Sequence, residues 1–164
     1  EAEDIEIIEE RGPTMLIGGH ALVTGQIPRT TPFENGSPNQ LALIDGQWRP
    51  DPWIHDDQAI VINVKSKGLV VLTGCGHAGV VNTLKCARKM TGVNNVHAVI
   101  GGFHLTGPIF EPIVQPTVAA LKEFNPSVIV PQHCTGWKAT HLIAREFTTA
   151  FVPNSVGTTL VIGA

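Results

Sequence analysis

Leu69-Val70-Val71-Leu72-Thr73-Gly74-Cys75-Gly76-His77-Ala78-Gly79-Val80-Val81-Asn82-Thr83-Leu84 passes from an apolar run, through a loop carrying three glycines, into residues with helical spacing. Leu69 to Thr73 reads as a strand, and Val80 to Met90 takes the helical period. The same succession returns twice. Val96 to Ile100 is a buried strand that ends in Gly101-Gly102-Phe103-His104-Leu105, with a helix from Ile113 to Phe124 beyond it. Val128 to Val130 ends in Pro131-Gln132-His133-Cys134-Thr135-Gly136, and a helix from Trp137 to Phe147 follows. Strand, loop and helix repeated three times put helices over a mixed sheet and gather the three loops at the carboxyl edge of their strands, where α/β folds build sites.

Upstream, Ala59 to Lys65 and Leu69 to Thr73 flank Ser66-Lys67-Gly68, a hairpin signal. Asp4 to Ile8 and Met15 to Thr24 read as strands, the second stopped by Gly25. Between Gly25 and Asp57 lie Pro28, Pro32, Pro38, Pro50 and Pro52 with Gly36 and Gly46, and only Leu41 to Ile44 has strand character. A connection of that length in a compact domain is a lid or binding loop, or else disordered. After the last helix, Phe151-Val152 and a strand from Thr158 to Ile162 close the chain. Residues 1–164 are expected to form one domain, with 25–57 as a long loop over it.

The formal net charge is −3, so no basic excess exists to neutralise phosphates, and nucleic acid or an anionic membrane is excluded as the main partner. Apolar residues make up 43% of the chain, yet no run approaches the roughly 18 needed to span a bilayer. The acidic opening, with Glu1, Glu3, Asp4, Glu6, Glu9 and Glu10, does not resemble a secretion signal, so the expected location is cytoplasmic. Charged residues are only 15%, against about 25% in an average soluble domain. Either central strands are covered on both sides, or one face is buried against another chain or a missing segment.

Three cysteines, Cys75, Cys86 and Cys134, are too few for a disulfide framework. His77, His104 and His133 each stand a few residues past a strand, in GCGHAG, GGFHL and PQHCTG. One histidine so placed is more often a hydrogen-bonded structural residue. Three on one sheet edge, freed by glycines to approach a common point, point to a metal site with imidazole ligands and an open position for water. The metal would lower the water's pKa and make it a nucleophile. Cys75 and Cys134 adjoin two of these histidines, but successive side chains tend to diverge, so both read as small hydrophobes supporting their loops, and Cys86 as helix packing. His20 and His97 fall in strands and His141 in a helix, all three structural; His55 reads as part of a solvated loop.

GCGHAGVVNTL, IGGFHL and PQHCTGW, together with Thr24-Gly25-Gln26-Ile27-Pro28-Arg29, Phe33-Glu34 and Asp56-Asp57-Gln58-Ala59, resemble the metallo-β-lactamase-fold hydrolases, in the branch of the dihydropterin ribofuranosyl-aminobenzene phosphate synthases. The resemblance implies half of an αββα sandwich, with a mixed sheet and helices on one face, and a one- or two-metal site holding zinc first, with iron or manganese as alternatives. His77 and His133 match the two later metal-binding histidines; His104 falls where most relatives place a bridging aspartate. The HxHxDH motif of the family's first half is absent from this chain. The expectation is therefore a carboxyl-terminal half, acting as a metal-dependent hydrolase on a small phosphorylated or pterin-like substrate. The alternative is a non-catalytic metal- or partner-binding module. Either form would pair with a second copy of itself or with a complementary amino-terminal half. Arg29 and Lys138 are the candidate anion-binding residues for the substrate.

Overall fold

The structure, a computed structural model, describes residues 7–163. Eight strands are present among them: β1 (Thr14–Leu16), β2 (Ala21–Val23), β3 (Leu41–Ile44), β4 (Gln47–Pro50), β5 (Ala59–Val64), β6 (Gly68–Thr73), β7 (Val96–Gly102) and β8 (Val128–Gln132). Three α-helices accompany them: α1 (Val80–Thr91), α2 (Val114–Phe124) and α3 (Trp137–Glu146). The main sheet has the order β1-β2-β5-β6-β7-β8. Its pairings are antiparallel from β1 to β6 and parallel between β6, β7 and β8, so the sheet is mixed as expected.

The parallel half follows from chain direction. A strand that must return parallel to its neighbour needs a long crossover, and α1 and α2 are those crossovers. Helix α1 ends at Gly92 and α2 at Asn125, each in the left-handed conformation with φ of 70° and 47°, closing the helix with a backbone bond to Arg88 and Lys122 respectively. Side chains alternate across a strand, so Leu69 and Val71 of β6 face the helices and share one core cluster with Val80, Leu84, Leu121 and Ile143. The opposite face carries Ile60, Leu72, Ile100 and Val130, which the strand register places side by side across four strands. Beside them runs a second row, Ile62, Val70, Ala98 and Val128. Neither row belongs to the helix-side core, and Ile60 is 38% exposed while Leu72 and Ile100 are half-buried. Val70, Ala98 and Val130 are nonetheless buried, so this second face is apolar and only partly open, at Ile60, Leu72 and Ile100.

Four local expectations are corrected. The expected strand Asp4 to Ile8 falls partly on residues 4–6, which lie outside the described residues; Ile7 and Ile8 are not in a strand. Met15 to Thr24 is not one strand but the hairpin of β1 and β2. Ile17, Gly18 and Gly19 all have positive φ (54°, 60° and 91°) and turn the chain back on itself. The segment 25–57 contains the hairpin β3–β4 around Asp45-Gly46, whose φ values of 51° and 73° suit a tight two-residue turn. Thr158 to Ile162 forms no strand. Val152 still donates a backbone bond to Ile129, but beyond it the chain leaves the sheet, and Val156 and Val161 are fully or almost fully exposed. A strand needs a partner edge, and none is offered there.

All three tryptophans are peripheral: Trp48 on β4 is 69% exposed, Trp53 is 38% and Trp137 is 77%. No helix among the described residues is long and apolar enough to cross a membrane.

Candidate metal centre

His77, His104 and His133 follow β6, β7 and β8, and the loops that carry them close on one another at the carboxyl edge of the sheet. The close approach depends on glycine. A Cβ on Gly76 would stand 2.4 Å from the carbonyl oxygen of Gly102, and one on Gly102 would stand 2.6 Å from that of Gly74. With hydrogen in those places the loops touch backbone to backbone, and the rings of His77 and His104 meet edge to face at 4.5 Å. His104 and His133 themselves adopt left-handed backbone, with φ of 48° and 51°. That conformation costs a non-glycine residue on the order of 1 kcal/mol or more and is concentrated where a side chain must be aimed.

The thiols lie between the imidazoles. Cys75 Sγ is 3.2 Å from His104 Nδ1 and 2.9 Å from Cys134 Sγ, and Cys134 also donates to the Cys75 carbonyl at 3.0 Å. Ligand atoms of Cys75, His77 and His104 lie within 4.8 Å of one another, and so do those of Cys75, His133 and Cys134. Cys75 and Cys134, expected to support their loops, also meet each other and place their sulfurs within reach of the histidines. His133, Cys134 and Thr135 form a single 3-10 turn entered through a left-handed residue, so neighbouring side chains fan out instead of alternating as on a strand. Cys86 is buried on α1 beside Met90, as expected.

Asp57 completes the cluster. Its Oδ2 accepts the backbone N–H of Ala78 at 2.7 Å, its Oδ1 lies 3.8 Å from His77 Nδ1, and its side chain is nearly buried. Burial, and then the neighbouring His77, hold the His104 imidazole below its ordinary pKa, which keeps it neutral with a free lone pair. Burial and the adjacent Cys134 push the Cys75 thiol up to about 12.

Beside the imidazoles opens a cleft of about 280 Å³, whose walls include Phe33, Phe103, Leu105 and Phe110 with His77 and His104. The His104 ring stands edge to face on Phe110 at 4.4 Å. One wall is held by Glu34, a residue that the resemblance includes in Phe33-Glu34 without giving it a role. This residue is 3% exposed; Oε1 accepts from the N–H of Val81 at 2.8 Å and Oε2 from Asn82 at 2.7 Å, at the N-terminus of α1. Asn82 in turn accepts the N–H groups of Thr30 and Thr31. The first part of the long segment is therefore fastened to α1, and is a wall of the cleft and not a free lid. Burial pushes the Glu34 carboxyl up from 4.5 to about 7, against the two N–H bonds, Lys85 and Arg29. The protonated form is thus favoured in the fold. Its contribution to stability is complete below the ordinary carboxylate pKa and is lost as pH rises through about 7. Thermal midpoints of wild type and Glu34→Gln, compared across that window, should show a falling component in the first that the second lacks; parallel curves would remove Glu34 from the account.

The two anion-binding candidates are otherwise engaged. Arg29 donates through Nη1 to the carbonyl of Ile27 at 2.6 Å and through Nη2 to the carbonyls of Trp53 and Ile54, so its guanidinium ties two stretches of the long segment together. Lys138 is exposed and pairs with Glu111 at 2.7 Å. Arg29→Ala is expected to lower stability by about 1–2 kcal/mol, because three carbonyls lose a charged donor. Lys138→Ala should change it by less than about 0.5 kcal/mol, as exposed ion pairs contribute little. Chemical denaturation of both variants decides the order, and the reverse ranking would overturn this assignment of Arg29. Gln132 and Thr135 fix the loop: Thr135 accepts the N–H of Phe103 and donates to the carbonyl of Gln132.

The other histidines stay apart from the cluster. His55 is exposed and bonded to Gln26, and His141 lies against Trp137 at 5.1 Å on the surface of α3. His97 is half-buried within β7. His20, expected in a strand, instead closes the 3-10 turn between β1 and β2.

The comparisons agree with this geometry. No family model matches the chain. It is 43% identical over 94 residues to the 7,8-dihydropterin-6-methyl-4-(β-D-ribofuranosyl)-aminobenzene-5′-phosphate synthase of Methanocaldococcus jannaschii, covering 57% of this chain and 31% of that protein. A second, uncharacterized protein of the same organism is 31% identical over 136 residues, which is 83% of this chain and 47% of the relative. The chain thus spans about a third to a half of the length of these relatives. Among solved structures, a metal-dependent hydrolase of the β-lactamase superfamily superposes with a TM-score of 0.80 at 28% identity, over 97% of this chain and 59% of that one. With the mixed sheet, the three histidine loops at its carboxyl edge and these likenesses in hand, the chain has a metallo-β-lactamase-superfamily fold and resembles the dihydropterin ribofuranosyl-aminobenzene phosphate synthases within it.

Proposed function

We propose that this chain forms the later-histidine side of a metal-dependent hydrolase site, with His77, His104 and His133 as ligands and zinc the first choice of metal, ahead of iron or manganese. The observation that carries the reading is that three successive strand-to-helix loops bring His77 against His104 and set His133 beside Cys75, whose sulfur also lies within the His77–His104 group. The donor set suits a cation. The groups that act on His104 and Cys75 are imidazoles, a thiol and the Asp57 carboxylate, with no lysine or arginine among them. A divalent metal supplies Lewis acidity to a water or substrate oxygen.

The chain's own residues do the rest. Asp57, held by the Ala78 N–H with its Oδ1 3.8 Å from His77 Nδ1, places a carboxylate beside His77. Burial keeps His104 unprotonated. Phe33, Phe103 and Phe110 line the adjoining cleft, and an apolar, aromatic wall suits a flat heterocycle of the pterin kind better than a bare phosphate. The name of the Methanocaldococcus jannaschii relative supports such a substrate, a small phosphorylated or pterin-like molecule. Zinc titration of the purified chain by calorimetry, followed by assay on phosphodiester and lactone substrates, tests the reading; absence of zinc binding in the folded chain would overturn it.

A second reading is favoured by one feature. The sequence holds no HxHxDH motif, and the apolar rows on the face away from the helices lie partly open. A chain bearing HxHxDH, seated on Ile60, Leu72 and Ile100, would complete both the layer and the ligand set, and this chain alone would then be a non-catalytic module. Addition of such a partner should raise metal uptake and turnover together. Full turnover by the chain alone would exclude this second reading.

A further inference from the structure

His133 keeps company with sulfur and not with the other two histidines. Its ring nitrogen falls within 4.8 Å of Cys75 Sγ and Cys134 Sγ, a group separate from Cys75, His77 and His104, with Cys75 common to both. The two cysteines are free and only half-buried, and they are brought together across 59 residues of sequence by the same backbone contacts that seat the histidines. Gly102 makes room for them. A Cβ there would lie 2.9 Å from Cys134 Sγ and 3.0 Å from Cys75 Cα. Two thiols so close, with His104 Nδ1 3.2 Å from one of them and a His133 ring nitrogen within 4.8 Å of both, bring three soft donor atoms to one point.

We propose that Cys75, Cys134 and His133 hold a metal of their own, with both sulfurs as thiolates, next to the imidazole pair His77 and His104. The inference rests on the reading of this edge as a metal centre and deepens it, by dividing the donors into a sulfur-bearing position and a nitrogen-bearing one. Each thiol gives its proton to solvent on ligation, and the dication compensates the two charges left behind. Two thiolates and one imidazole leave a fourth tetrahedral position open, and such a set selects zinc, cadmium or cobalt over magnesium, calcium or manganese.

The test uses Co²⁺ as the probe on the full, reduced chain, because thiolate ligation gives a near-ultraviolet charge-transfer band that imidazole ligation does not. Wild type and Cys86→Ala should show the band at saturation with equal intensity. Cys75→Ala and Cys134→Ala should each lose about half of it and the double variant all of it, while His77→Ala retains it in full. An independent measurement needs no variant: Zn²⁺ should slow alkylation of Cys75 and Cys134 in the folded chain, located by mass spectrometry, while Cys86, buried on α1, stays unlabelled with or without metal. Uptake of Co²⁺ with visible bands but no charge-transfer band, or Zn²⁺ that protects no thiol, would overturn the proposal and leave an imidazole-only centre standing. Absence of any Co²⁺ or Zn²⁺ uptake by the folded chain would overturn both readings together.

Discussion

His104→Ala should lower divalent-metal affinity at the His77 position by more than about 100-fold while leaving the fold intact, a larger loss than the 10–100-fold seen when only an outer hydrogen-bond partner of a ligand is removed. The reason lies in which loops supply donors. In the proposed centre His77 comes from the β6 loop, and His104 would be the ligand that joins the β7 loop to it, its ring 4.5 Å from that of His77. Without it the nitrogen-bearing position would keep His77 alone. Stability should change little, since the side chain is half-exposed and its neighbours Phe110 and His77 retain other contacts with the cleft. Calorimetric titration with Zn²⁺ beside a thermal scan separates the two effects. Unchanged affinity in His104→Ala would show that the β7 loop does not contribute a donor.

The largest effect on stability is expected from Gly101→Ala, about 3 kcal/mol or more. Gly101 ends the strand segment that precedes His104 and has φ of 137°, which side-chain-bearing residues rarely adopt. A Cβ there would also stand 2.1 Å from the carbonyl oxygen of Thr73 and 2.3 Å from its hydroxyl, at the last pair of the β6–β7 register, where the facing atoms are backbone and a short side chain. Gly92→Ala provides the scale. Its φ of 70° is also left-handed, but nothing lies within 4 Å, so only the conformational cost remains, about 1 kcal/mol. Denaturant midpoints followed by far-ultraviolet circular dichroism should therefore rank wild type, Gly92→Ala and Gly101→Ala in that order. Equal losses for the two variants would mean that the β6–β7 approach is looser than described.

The repeated strand–loop–helix unit was legible because each link is local: apolar runs, glycines at their ends, helical spacing after them. The β5–β6 hairpin was legible for the same reason. What stayed hidden depends on contacts between distant segments. Glu34 looks like an ordinary loop carboxylate until Val81 and Asn82 are known to be 47 and 48 residues away in sequence and one hydrogen bond away in space. Arg29 has the residue type of an anion binder, yet Trp53 and Ile54 use its donors. The meeting of Cys75 with Cys134 joins residues 59 apart in sequence, and divergence of each from its neighbouring histidine says nothing about it. Asp45-Gly46 was a readable turn signal, outweighed by the prolines around it. Thr158 to Ile162 has strand composition without a strand beside it, and composition alone cannot supply one.

The rim position of the three tryptophans bears on how unfolding can be watched. With Trp48, Trp53 and Trp137 all solvent-exposed to a substantial degree, and no tyrosine in the sequence, the indoles sample the β3–β4 hairpin, the long segment and the start of α3, while the core cluster of Leu69, Leu121 and Ile143 contains phenylalanines and no tryptophan. Indole emission is already that of a hydrated ring before denaturation, so a fluorescence melt will register loosening of the periphery and give little amplitude for collapse of the centre. The same placement is an advantage for ligand work: a molecule settling on the hairpin or on the first turn of α3 meets a reporter there that the folding transition scarcely disturbs.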